Sequence, residues 1–156
     1  MRGALITAVI VASAPALAQM PVPLLESDAT ADPAQWKAAA PLLQASLECR
    51  RVIDPADPAL RPVMPANDAG QWELTPPRGF SAFGLPVQSI TLYIDPDGEL
   101  GASYTAEVAA PQALAAKAVQ PYHGRKGAAG TLQVEPGERP SLATITCTVA
   151  GSYEHD

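Results

Sequence analysis

The sequence predicts an α+β domain: a single antiparallel sheet of about five strands, one face covered by two short helices, with one disulfide. Three observations lead there. Ile90, Leu92 and Ile94 alternate with Ser89, Thr91 and Tyr93. After Asp95-Pro96-Asp97-Gly98 the alternation resumes through Leu100, Ala102, Tyr104, Ala106 and Val108. Period two on both sides of a turn is the mark of a hairpin with one buried face. Ahead of it, Trp36, Ala40, Leu43 and Leu47 recur at helical spacing and form one apolar stripe. The chain also holds two cysteines, Cys49 and Cys147, which pair in an oxidising compartment.

That compartment is expected from the first residues. Met1-Arg2 makes a short basic start, and Gly3 to Ala14 is uncharged and rich in Leu, Ile and Val. Pro15 breaks the run, and Ala16-Leu17-Ala18 places small residues where a signal peptidase reads. The expectation is a signal peptide over 1–18, cleaved between Ala18 and Gln19, and export of the Gram-negative type to the periplasm or beyond. The apolar run is shorter than the roughly 20 residues a spanning helix needs. No second hydrophobic segment follows, so the mature chain is expected to be soluble, with no membrane span. Residues 19–31, small, polar and proline-bearing, read as a flexible leader. Residues 32–156 read as one domain, long enough to bury a core.

Within that domain Asp32-Pro33-Ala34-Gln35 is a helix start, with Asp32 as cap, Pro33 at the first turn and Gln35 completing a capping box. Pro41 is expected to kink the helix or split it in two, because proline lacks an N–H and clashes with the preceding turn. From Arg50 to Gly70 four prolines and three aspartates make a loop without periodicity, longer than most. Gln71 to Thr75 reads as a strand with Trp72 and Leu74 on one face, followed by turn-rich sequence through Pro86. Pro111 to Val119 reads as the second helix, and Gln120 to Gly130 as a glycine-bearing loop. Thr131 to Glu135 and Leu142 to Val149 read as a second hairpin.

In the last strand Ala143, Ile145, Cys147 and Val149 share a face opposite Thr144, Thr146 and Thr148, so Cys147 points into the core. A Cys49–Cys147 bridge then clamps the end of the first helix to the sheet. At 100° per residue Cys49 falls opposite the Trp36–Leu43–Leu47 stripe. The helix must therefore end near Glu48, or be re-aimed after Pro41.

Composition bounds the function. Ten Lys and Arg stand against 16 Asp and Glu, a net charge of −6. The signal contributes one charge, Arg2, so its removal leaves the chain more acidic still. That balance offers nucleic acid no electrostatic footprint and disfavours anionic lipid, while basic protein partners stay open. Two cysteines and two histidines (His123 and His155) lack the spacing of a zinc site. Asp95, Asp97 and Glu99 open like a calcium loop, but Leu100 and Ala106 stand where its glycine and final glutamate belong. No cofactor or metal is expected. Tyr122-His123-Gly124-Arg125-Lys126-Gly127 gathers His, Arg and Lys without the order of a phosphate-binding glycine loop; it reads as a basic connector or as an anion or partner contact. No G-x-S-x-G is present.

The helix-plus-antiparallel-sheet plan is similar to that of small periplasmic inhibitor and envelope-assembly modules, a likeness of architecture that carries no residue roles with it. The expected function is that of a non-enzymatic binding or accessory module of the bacterial envelope, its partner an envelope or secreted protein. The candidate contacts are Asp54, Asp57 and Arg61 in the proline loop, and Tyr122, His123, Arg125 and Lys126 in the basic one. The alternatives are an inhibitor of a wall-degrading enzyme of the lysozyme type, whose basic surface suits an acidic partner, and a small enzyme with His123 as base.

Overall fold

The structure, a computed structural model, describes residues 32–152; the expected signal peptide and cleavage site, the expected leader over 19–31 and His155 lie outside them. One antiparallel sheet carries two helices on one face. The strands are β1 (Gln71–Leu74), β2 (Ser81–Ala82), β3 (Leu85–Ile94), β4 (Ala102–Val108), β5 (Thr131–Pro136) and β6 (Ala143–Val149). Their order is β1-β3-β4-β6-β5, and β2 pairs with β3 off that path. Because β6 returns between β4 and β5, the β4–α2–β5 passage is a split β-α-β unit. Helix α1 (Pro33–Leu47) lies against β4, β6 and β2, and α2 (Gln112–Val119) against β5 and β6.

The alternation in the sequence sets the two faces. Ile90, Leu92, Ala102, Tyr104, Ala106, Val108, Ile145 and Cys147 are buried beneath the helices, while Ile94 and Val149 pack half-buried at the margin. The opposite face reads across the register as Gln71, Tyr93, Ser103, Thr148 and Thr131 in one row, and Glu73, Thr91, Thr105, Thr146 and Gln133 in the next. There Thr105 and Thr146 share a hydroxyl hydrogen bond of 2.9 Å. Antiparallel sheets tolerate one such wet face.

Three expectations are corrected. First, α1 is not split at Pro41. It runs as one helix, because Trp36 and Ala39 before the proline and Leu43 and Leu47 after it bury one continuous face, while Pro41 itself is exposed. Each of those large side chains contributes about 1.5–3 kcal/mol on burial, which together outweighs the ~3 kcal/mol of an interior proline. Second, Leu100 does not begin β4. Its N–H goes to the Asp95 carboxylate at 2.9 Å, and Gly101 follows at φ +85°, so the side chain is left 71% exposed in the turn. Third, β2 was not anticipated.

The Arg50–Gly70 segment is built into the core. Ile53, Leu60, Val63 and Met64 are buried. Each Asp-Pro-Ala triplet folds the same way: Asp54 Oδ1 accepts the Ala56 N–H and Asp57 Oδ1 the Ala59 N–H, both at 2.9 Å. These are the local side-chain caps that Asp supplies ahead of a turn. Tyr104, fully buried on β4, accepts the Ile53 N–H at 3.0 Å and so pins the segment's start to the sheet. Burial raises the Tyr104 phenol above its ordinary value of 10.0, and the bond from Ile53 offsets part of that rise.

Candidate functional site

The end of α1 is where the chain's unusual backbone collects. The Arg50 N–H donates to Ala45 O at 2.8 Å and the Cys49 N–H to Ser46 O at 2.9 Å. That pair of bonds is a Schellman closure, in which the residue after the cap adopts the left-handed conformation and is usually glycine. Here it is Cys49, at φ +56°. The turn swings Cys49 away from its helical direction and settles the geometry left open by the sequence. The Cys49–Cys147 disulfide forms with the Cα atoms 5.5 Å apart.

Phe83 is the one other non-glycine residue at positive φ among the described residues, also at +56°. Ala82 pairs with Leu85, so Phe83 and Gly84 are the two central residues of a hairpin turn with φ positive at both. That turn type favours Asn-Gly, and a bulky side chain in its first position is strained. Glu48 holds it there. Its carboxylate, 5% exposed, accepts the Phe83 N–H through Oε1 at 3.0 Å and also the Gln44 side-chain amide at 3.3 Å. Through Oε2 it accepts the Arg50 Nε–H at 2.8 Å, and Arg50 Nη2 lies 2.8 Å from the same oxygen as an ion pair. The charge on both partners strengthens this contact relative to a neutral hydrogen bond.

Around this node opens a cleft of about 370 Å³, lined by Glu48, Cys49, Arg50, Tyr122, Arg125, Lys126, Gly127 and Ala128. Tyr122 follows α2 in a single 3-10 turn and meets Phe83 edge to face, ring centroids 4.9 Å apart. The Arg125 guanidinium lies 5.2 Å from the centroid of the Tyr122 ring, a cation–π contact. The loop that carries Arg125 and Lys126 is tied down twice. Ala128 N–H closes a turn onto Arg125 O at 3.0 Å, with Gly127 at φ +80°, and Ala129 N–H reaches Cys49 O at 2.8 Å.

The sequence-derived candidates therefore divide. Tyr122, Arg125 and Lys126 line the cleft together with Arg50 and the disulfide half Cys49. His123 is exposed beside them, outside the lining. Asp54 and Asp57 spend one carboxylate oxygen each on turns of the proline segment. Arg61 lines a separate, more apolar groove of about 620 Å³ with Met64, Trp72, Ile94 and Pro96. Glu48 and Arg50 were missed as site residues; an acid–base pair two apart just past a helix is the one local signal they carry. Among the described residues no group of three or more His, Cys, Asp or Glu is placed to hold a metal ion, and no helix is long and apolar enough to cross a membrane. In comparison with known proteins, no family model, no curated protein and no solved structure matches the chain.

Proposed function

We propose that the chain is an exported binding or accessory module of the bacterial envelope, and that the cleft at the end of α1 is its contact site for an acidic group of the partner. The observation that carries this reading is the convergence of Arg50, Arg125 and Lys126 on one cleft in a chain of net charge −6. The cleft is framed by a disulfide, a buried carboxylate and an aromatic pair, so little ordering entropy is lost when it engages. Export is supported by the basic, apolar and small-residue order of 1–18 and by the bridge itself, which persists outside the reducing cytosol.

The test is affinity capture from an envelope extract with the wild-type domain and with an Arg125→Glu/Lys126→Glu variant side by side. Proteins retained by the wild type and lost by the variant support the reading; equal retention by both refutes it. Intact mass of the expressed product checks the export half, with Gln19 as the first residue of the periplasmic form.

A second reading is favoured by the outer face of the sheet. Glu73, Glu107 and Glu135 stand there among Thr, Ser, Gln and Tyr, with no Lys or Arg in the paired rows. That face suits a basic protein, as an inhibitor of a lysozyme-type enzyme requires. Slowed clearing of a cell-wall suspension by such an enzyme, abolished by Glu107→Lys, is its test.

A further inference from the structure

We infer that the occupant of the cleft is a doubly charged oxyanion, the phosphoryl head of a soluble phosphate monoester. This rests on the reading of the cleft as the contact site and adds the chemistry of what enters it.

Charge comes first. Arg50, Arg125 and Lys126 bring three cations to the lining, and Glu48 one carboxylate, an excess of two positive charges. A carboxylate ligand neutralises half of that; a phosphate monoester, at about −1.5 to −2 near neutral pH, neutralises nearly all of it.

Geometry points the same way. Glu48 engages one edge of the Arg50 guanidinium, Nε and Nη2, which leaves Nη1 to an incoming oxygen. The Tyr122 ring holds the Arg125 guanidinium 5.2 Å from its centroid, and among the described residues the Arg125 N–H groups have no protein acceptor, which leaves them to bidentate contact with a phosphoryl group. Lys126 sits at the corner of the Arg125–Ala128 turn, and among the described residues the backbone N–H groups of Lys126 and Gly127 have no protein acceptor. Successive unpaired N–H groups in a turn are a recurrent feature of anion sites. The cleft exceeds a phosphoryl group in size, so the wall of Tyr122 and Ala128 has room for the organic part of the ester. The chain's net charge of −6 sets it against an anionic lipid surface, which assigns the phosphoryl group to a soluble molecule.

The experiment titrates the isotope-labelled domain with inorganic phosphate, phenyl phosphate and acetate at matched ionic strength and reads backbone amide shifts. The expected result is saturable shifts at Lys126, Gly127 and Ala128 with both phosphates and none with acetate. Arg125→Gln and Lys126→Gln, both at exposed positions, should each weaken binding about tenfold or more while the thermal midpoint holds. Absence of saturation at millimolar phosphate, an equal response to acetate, or unchanged binding in both variants overturns the inference. Sedimentation with phosphatidylcholine vesicles carrying phosphatidic acid is the companion arm: protein left in the supernatant supports the soluble assignment, and co-sedimentation overturns it. If phosphate fails while the Glu substitutions still abolish capture, the anion inference falls and the contact reading stands; if phosphate binds while capture is unaffected, the contact reading falls.

Discussion

Glu48 and Phe83, 35 residues apart in the chain, are joined by a buried hydrogen bond of 3.0 Å from the Phe83 N–H to the Glu48 carboxylate. The bond links the end of α1 to the tightest turn in the sheet and holds both left-handed residues, Cys49 and Phe83, around one side chain. Removing the acceptor leaves the Phe83 N–H buried and unpaired, which costs about 1–3 kcal/mol. Glu48→Ala should therefore lower the urea-unfolding free energy by that amount or more. Glu48→Gln, which keeps an acceptor and gives up only the half-exposed ion pair with Arg50, should lose less. Equal losses would show that the ion pair, and not the bond to Phe83, is what matters.

Cys49 carries two separable roles, bridge and left-handed turn. Breaking the bridge with Cys49→Ala/Cys147→Ala should lower stability by about 2–5 kcal/mol. Cys49→Gly/Cys147→Ala also lacks the bridge, but it places glycine where the Schellman closure wants it. It should recover about 1 kcal/mol of backbone strain relative to the alanine pair. Chemical denaturation of the two double variants measures the difference directly.

Tyr104→Phe should cost about 1–3 kcal/mol, because the Ile53 N–H loses its acceptor inside the core. The wild type should also show an alkaline limit. Its phenol is raised in the folded state, so the folded protein binds that proton more tightly than the unfolded chain. The resulting stabilisation is full below pH 10.0 and is lost as pH rises through the folded value. Denaturation midpoints across that range should fall more steeply for the wild type than for Tyr104→Phe.

Replacing 54–65 with a Gly/Ser linker should unfold the domain, since it strips Leu60, Val63 and Met64 from the core, and such truncations cost about 2–5 kcal/mol for each large residue. Arg61→Glu, an exposed change, should leave the melting temperature unaltered. Circular dichroism of the two variants checks both.

What was legible in the sequence follows from the range of each interaction. The β3–β4 and β5–β6 faces were readable because period two is a local property, and so were the Asp32 cap and the Cys49–Cys147 pairing. The Ala82–Leu85 hairpin was not, because phenylalanine carries no turn signal and is held there by Glu48 from another element. The proline segment hid its packing because Ile53, Leu60, Val63 and Met64 follow no single period, and its aspartates Asp54 and Asp57 each commit one carboxylate oxygen to a turn. In the cleft, Tyr122, Arg125 and Lys126 stood together in sequence, whereas Arg50 joins them only through the fold, where the Ala129 bond to Cys49 ties their loop down beside it.

The bridge between residues 49 and 147 also decides how the molecule bears tension. A pull applied at the two ends of the described chain enters through α1 at one end and leaves after Cys147 at the other, so the covalent link carries the load past everything between. The 98-residue span that holds β1 to β5 and α2 is mechanically silent while the bridge is intact. Only α1 and the few residues beyond Cys147 can be peeled away. Reduction under tension would release that hidden length, on the order of 320–350 Å at full extension, as a separate later step in a single-molecule stretching trace.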